Sequence, residues 1–153
     1  MSHVRKQIRV AAETILSLSM VNYKHVFMSR IERSRDVMPY LLVYTPTELM
    51  TPKIIHPVPF YDRGILLIVQ GKCRMTNDNL TFEDTMDEIA TEIESKLTTS
   101  AMNSELSNKI KSIVLQTTDS EIVEDDNERT SATITLGWQV LVNTNEGDAE
   151  TFI

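Results

Sequence analysis

Apolar residues at Val4, Ile8, Ala11, Ala12, Ile15 and Leu18 recur at helical spacing, with Arg5, Lys6, Arg9 and Glu13 off that stripe. The pattern predicts an amphipathic helix from Ser2 to about Met20, with its stripe facing a core, because most of the remaining chain reads as strands in need of cover. Residues 22–36 mix charges with Val26, Phe27 and Ile31 without a period and are expected as a loop containing a short extended piece. Residues 38–45 (Met-Pro-Tyr-Leu-Leu-Val-Tyr-Thr) are dense in aromatic and branched side chains, as a short strand would be, with Pro39 tolerated at its first position. Residues 64–75 start as the apolar run Ile65-Leu66-Leu67-Ile68-Val69. They end with Gln70, Lys72 and Arg74 alternating with Gly71, Cys73 and Met75. A strand covered on both faces at first and on one face later has this form.

Between these two strands lie four of the five prolines, at 46, 52, 57 and 59. Each removes a ladder donor, so residues 46–61 are expected as a long connection or an irregular hairpin arm protruding from the domain. Thr81-Phe82-Glu83-Asp84 then offers a hydroxyl at a helix start, and Phe82, Met86, Ile89, Ile93 and Leu97 repeat at steps of four, three, four and four. This predicts a helix whose outer face bears Glu83, Asp84, Asp87, Glu88, Glu92 and Glu94. Residues 98–107 are polar and expected as a loop or frayed turn. Residues 111–123 read as a strand, and 124–128 (Glu-Asp-Asp-Asn-Glu) as a turn. From Thr130, Ala132, Ile134, Leu136, Trp138, Val140 and Val142 alternate with a threonine-rich set, which predicts a strand with one buried face and an antiparallel partner before it. Residues 143–153 lack a pattern and are expected as a flexible tail.

Together these elements predict one α+β domain over residues 1–142: a mostly antiparallel sheet of four or slightly more strands, with two main helices packed on one face. The other sheet face must then be polar or meet another subunit.

A length of 153 residues suits one self-sufficient core, and the composition, 41% hydrophobic and 24% charged, is globular. No apolar run is long enough to span a membrane, and no membrane association is expected. The net charge of -7 argues against nucleic-acid binding as a main function. That charge is unevenly placed. Residues 1–75 hold 11 Lys and Arg against 5 Asp and Glu, whereas residues 76–153 hold 4 against 17. The asymmetry fits either solvated faces that differ in sign, or a basic surface on one copy meeting an acidic surface on the next.

Reactive chemistry is sparse. His3, His25 and His56 have none of the spacings that place two ligands on one helix face, and Cys73 is the only cysteine, on the apolar side of its strand. The four glycines form no phosphate-binding loop or hydrolase elbow. Carboxylates are abundant on the second helix and at 124–128, where a solvated face is the default and weak divalent-cation binding the alternative. No metal, no cofactor and no catalytic residues are expected. The chain reads as a binding or structural module.

Val26-Phe27-x-x-Arg30, then Pro39-x-x-x-Val43-Tyr44-Thr45, an apolar strand, an acidic amphipathic helix and a final hairpin succeed one another in this order. This succession resembles the tail terminator proteins of long-tailed bacteriophages, the lambda protein U type, over most of residues 3–142. The proline-bearing arm and the segment after Val142 depart from that pattern. The resemblance implies a virion protein, assembled in the host cytoplasm, that forms a homo-oligomeric ring, a hexamer, on the head-proximal end of the tail. There it would stop polymerisation of the tail tube protein and present a surface to the head-tail connector protein. On that view Arg30, Arg33 and Arg35 lie on one side of the subunit contact and Asp125, Asp126 and Glu128 on the other. Thr51, Pro52, Lys53, Ile54, Ile55, His56 and Pro57 form an arm that reaches the tube or a neighbouring subunit. A head-tail adaptor or neck connector is the alternative within virion proteins, and a small soluble enzyme is the alternative outside them.

Overall fold

The computed structural model describes residues 2–33, 37–53, 59–74, 82–124 and 130–153. These form three helices and a six-stranded sheet, in the order α1 (Val4–Leu16), β1 (His25–Phe27), β2 (Tyr40–Tyr44), β3 (Glu48–Lys53), β4 (Phe60–Arg74), α2 (Phe82–Lys96), α3 (Thr99–Glu105), β5 (Ser112–Glu124) and β6 (Thr130–Asn145). Strand order across the sheet is β1-β2-β4-β6-β5, with β3 paired to the first part of β4. Every pairing is antiparallel except β1 with β2, which run parallel. The architecture is the expected α+β one, with two more strands and one more helix than its simplest form.

The long strands β4 and β6 form the spine. Ile65, Leu67, Val69 and Cys73 from β4 and Ala132, Ile134, Leu136, Trp138, Val140 and Val142 from β6 all point to one face. Val4, Ile8, Ala12 and Ile15 of α1 and Met86, Ile89 and Ile93 of α2 close over it in a single cluster. Period two on the strands and three-to-four on the helices thus meet in one layer of side chains. Gly71 lets α2 approach closely, since a Cβ there would lie 2.8 Å from Ile89 Cγ2 and 3.0 Å from Ile134 Cγ2.

The opposite face of the sheet is only partly wet. Tyr40 and Leu42 are fully buried on it and Ile68 nearly so, outside the main cluster. The chain after β1 turns back across this region. Arg33 N donates to Tyr40 Oη at 2.9 Å, and Lys72 Nζ reaches Glu32 at 2.8 Å.

Three expectations need correction. Residues 48–53 are a regular edge strand rather than irregular chain, because β4 begins at Phe60 and β6 occupies only one of its sides, leaving the other for β3. Pro52 is tolerated there because an edge strand can spare a donor. Residues 99–105 are a helix, capped by Thr98, whose Oγ1 accepts from Ala101 N at 3.1 Å, and held by buried Met102. Residues 143–153 do not stand apart from the fold. Asn143 to Asn145 prolong β6, Phe152 is buried and bridges to Thr144, and Val4 N donates to Ala149 O at 2.8 Å. A single aromatic plus backbone hydrogen bonds docks this segment, and neither leaves a periodic trace in sequence.

Candidate interaction surfaces

Two of the three arginines expected at a subunit contact lie in the described residues, and both sit on the outer face at the β1 end of the sheet. Arg30 places its guanidinium 5.3 Å from the centre of the Tyr44 ring, and Arg33 places its own 4.6 Å from that of Phe27. Phe27 in turn meets Tyr40 edge-on at 5.8 Å. The residues that carry the resemblance therefore come into contact: parallel pairing sets Phe27 beside Leu42, and the turn after β1 lays the arginines over the aromatic rings. Arg35 falls outside the described residues, as do Asp125, Asp126 and Glu128.

The positive charge extends further than the sequence suggests. Arg9 Nη1 donates to the buried Thr45 Oγ1 at 2.7 Å, and burial, then the nearness of Arg5 and of Arg30, pull its proton affinity down. Arg9 and Arg30 thus both lie at the end of β2, with Arg5 one turn away from Arg9 on α1. Lys24, Arg9, Arg30 and Arg33 have no carboxylate within ion-pairing distance among the described residues. Sequence periodicity assigns Arg5 and Arg9 only to the polar side of a helix. Which polar side meets β2 is a tertiary fact.

Of the arm, Thr51, Pro52 and Lys53 lie exposed in β3, and Leu49 and Met50 before them are 70% and 49% exposed. Ile54, Ile55, His56 and Pro57 lie outside the described residues. At the opposite edge of the sheet β5 is solvent-exposed from Val114 to Ile122. The Thr-Thr-Asp-Ser-Glu centre of β5 carries no apolar alternation, a pattern shared by strands that no helix covers and by strands whose polar face meets a partner.

The remaining candidates have structural roles. His3 caps α1, its Nδ1 accepting from Arg5 N at 3.1 Å, and His25 stacks on Phe27. Cys73 is buried, and burial pushes its thiol up to about 11. That environment disfavours the thiolate a nucleophile needs.

Glu92 also departs from expectation. It is no solvated outer carboxylate: its side chain is 8% exposed and accepts from Asn22 N at 2.7 Å, Val21 N at 3.2 Å and Lys96 Nζ at 2.7 Å. Lys96 also donates to Tyr23 Oη at 3.0 Å, and Tyr23 donates to Leu16 O at 2.7 Å. Burial and the carboxylate both push the Tyr23 phenol up. This network ties α2 to the chain between α1 and β1. Burial alone would raise the Glu92 carboxyl, but Lys96 and the two amides outweigh it and hold it below the usual range. A carboxyl depressed in the folded state stabilises fully above its unfolded value, near pH 4.3, and loses that contribution as pH falls through the folded value. Glu92→Gln is expected to cost about 1.5–3 kcal/mol at pH 7. Melting curves of the two proteins should converge below about pH 4, and a constant gap down to pH 3 would contradict the assignment.

No protein-family model and no curated protein matches the chain. Among solved structures it is similar to a chain of the "Virion of native gene transfer agent (GTA) particle", with 10% sequence identity over 87% of this chain and 93% of that one, at a TM-score of 0.46. A likeness this distant carries no argument about function.

Proposed function

We propose that the chain is a virion structural protein of the tail terminator kind, which closes into a ring on the tail tube, ends its polymerisation and offers the head a joining surface. The observation that carries this reading is the conjunction at the β1 end. Val26-Phe27-x-x-Arg30 and Pro39-x-x-x-Val43-Tyr44-Thr45, the two stretches behind the resemblance, lie side by side in space and build a basic, aromatic outer face. The second half of the chain, with 17 Asp and Glu against 4 Lys and Arg, would supply a surface of opposite sign. A ring needs such unlike patches, because each subunit contacts its two neighbours differently. Charge at the contact would set orientation and association rate more than raw affinity.

Arg30, Arg33 and Arg35 are assigned to one side of this contact and Asp125, Asp126 and Glu128 to the other. Arg33→Glu and Asp126→Lys, each alone, should slow and weaken multimer formation, measured by sedimentation at low salt. Multimers that form at the wild-type concentration in both variants would remove the assignment.

The tail reading itself is tested with purified particles. Binding to tail tubes that lack heads supports the terminator role. Binding only to portal-bearing heads would replace it with the adaptor role.

A further inference from the structure

The sheet ends on one side in the long edge strand β5, which carries one register shift and three carboxylates but lacks the other usual protections. Edge strands are normally kept short, or carry proline, lysine or an inward charge, because their unpaired backbone groups otherwise recruit another strand. β5 runs for 13 residues, against a usual 5–6, and Ser112–Glu124 contains no proline and no lysine. Its one irregularity, between Leu115 and Thr117, leaves Thr117–Glu124 in unbroken register. Val114, Leu115 and Ile122 are 55%, 36% and 46% exposed on it, among Asp119 and Glu121.

The other end of the sheet is β1, whose far side is likewise unpaired among the described residues. Exposed apolar side chains bracket it, Val21 at 81%, Met28 at 47% and Ile31 at 73%, together with Lys24, Arg30 and Arg33. The two ends thus both expose apolar side chains and are opposite in sign, although β1 offers only the three residues His25–Phe27 for pairing. A two-fold pairing of β5 with β5 would bring two acidic strands together, whereas β5 against a second copy's β1 end places carboxylates beside unpaired cations.

We propose that the partner of the β5 edge is the β1 end of a second copy of this chain, so that the sheet continues from subunit to subunit by backbone hydrogen bonds. This rests on the ring reading above and supplies its joint. Contacts of this head-to-tail kind repeat until a rotation closes them. Main-chain bonding gives affinity, and the apolar and charged side chains flanking each edge set which edges meet.

Hydrogen exchange of the wild-type protein, compared between dilute monomer and assembled multimer, tests this directly. Peptides covering 112–124 and 21–33 are expected to exchange about tenfold or more slowly in the multimer. The double variant Val114→Lys/Ile122→Lys, altered only at exposed positions, should keep the monomer's melting temperature and lose multimer. A multimer whose 112–124 amides exchange as fast as in the monomer would overturn the strand pairing while leaving the ring intact. So would an undiminished multimer of the lysine variant, whereas a dimer that grows no further would overturn the ring reading along with it. A wild-type chain that stays monomeric at all concentrations would instead overturn the ring reading itself.

Discussion

Replacing Arg63 with methionine is expected to lower folding stability by about 3–5 kcal/mol, the range for removing one partner of a buried ion pair. In a domain of this size that corresponds to melting roughly 6 to 20 °C lower. Arg63 lies on β4 and is only 6% exposed. Its Nη1 donates to Glu48 Oε1 on β3 at 2.5 Å, and its Nε donates to Thr144 Oγ1 on β6 at 2.7 Å. The Glu48 side chain is 11% exposed, and among the described residues its second oxygen has only the Arg5 guanidinium nearby, at 3.7 Å. Without Arg63 a carboxylate would remain in a place where water solvates it poorly, and the fully buried Thr144 hydroxyl would lose its donor. The sign of the effect is testable by its rescue: Arg63→Met/Glu48→Leu should recover most of the loss, because a well-packed apolar pair matches a buried ion pair. Single and double variants that melt alike would contradict this.

That ion pair also bears on the arm. It pins the base of the β3–β4 hairpin to β6, so the hairpin beyond it can be shortened without disturbing its anchor. Deleting residues 51–57 removes exposed Thr51, Pro52 and Lys53, together with residues outside the described structure, and leaves Glu48 and Arg63 in place. The shortened protein is expected to melt near the wild-type temperature and to fail completely in capping. Electron microscopy of particles assembled with it should show tails that overrun their normal length. Tails of normal length would mean that the arm has no part in termination.

The sequence is most informative where one face of an element is buried and the other wet. β6 alternates strictly, and Ala132 through Val142 are buried on that alternation, so its core face is read from it; the short polar link before it in sequence gives its antiparallel pairing with β5, and neither gives its pairing with β4. α2 is equally legible from Met86, Ile89 and Ile93. Where cover is partial or comes from afar the periodicity fails. β3 contains a proline and exposed apolar residues, a combination that reads as loop until β4 is known to have a vacant side. α3 buries only Met102 and is too short to show a stripe. Glu92 looks like its acidic neighbours because its partners, Val21 and Asn22, are some seventy residues away in sequence.

Much the same holds for the surfaces. Arg30 stands in the stretch behind the resemblance, Arg33 is singled out only with the basic first half of the chain, and the structure adds the rings on which they rest. Arg9 joins them only because α1 crosses the end of β2. The exposed flank of β5 is invisible for a different reason: edge position depends on strand order, and strand order is a property of the whole sheet. Thr117, Thr118 and Asp119 would read the same in a strand whose polar face was covered by a partner.

Self-assembly is the claim on which the rest depends, and native mass spectrometry of the intact chain, with and without magnesium, tests it most directly. A closed multimer near six copies, with no heavier open series, is the expected result. A monomer under every condition would contradict the account.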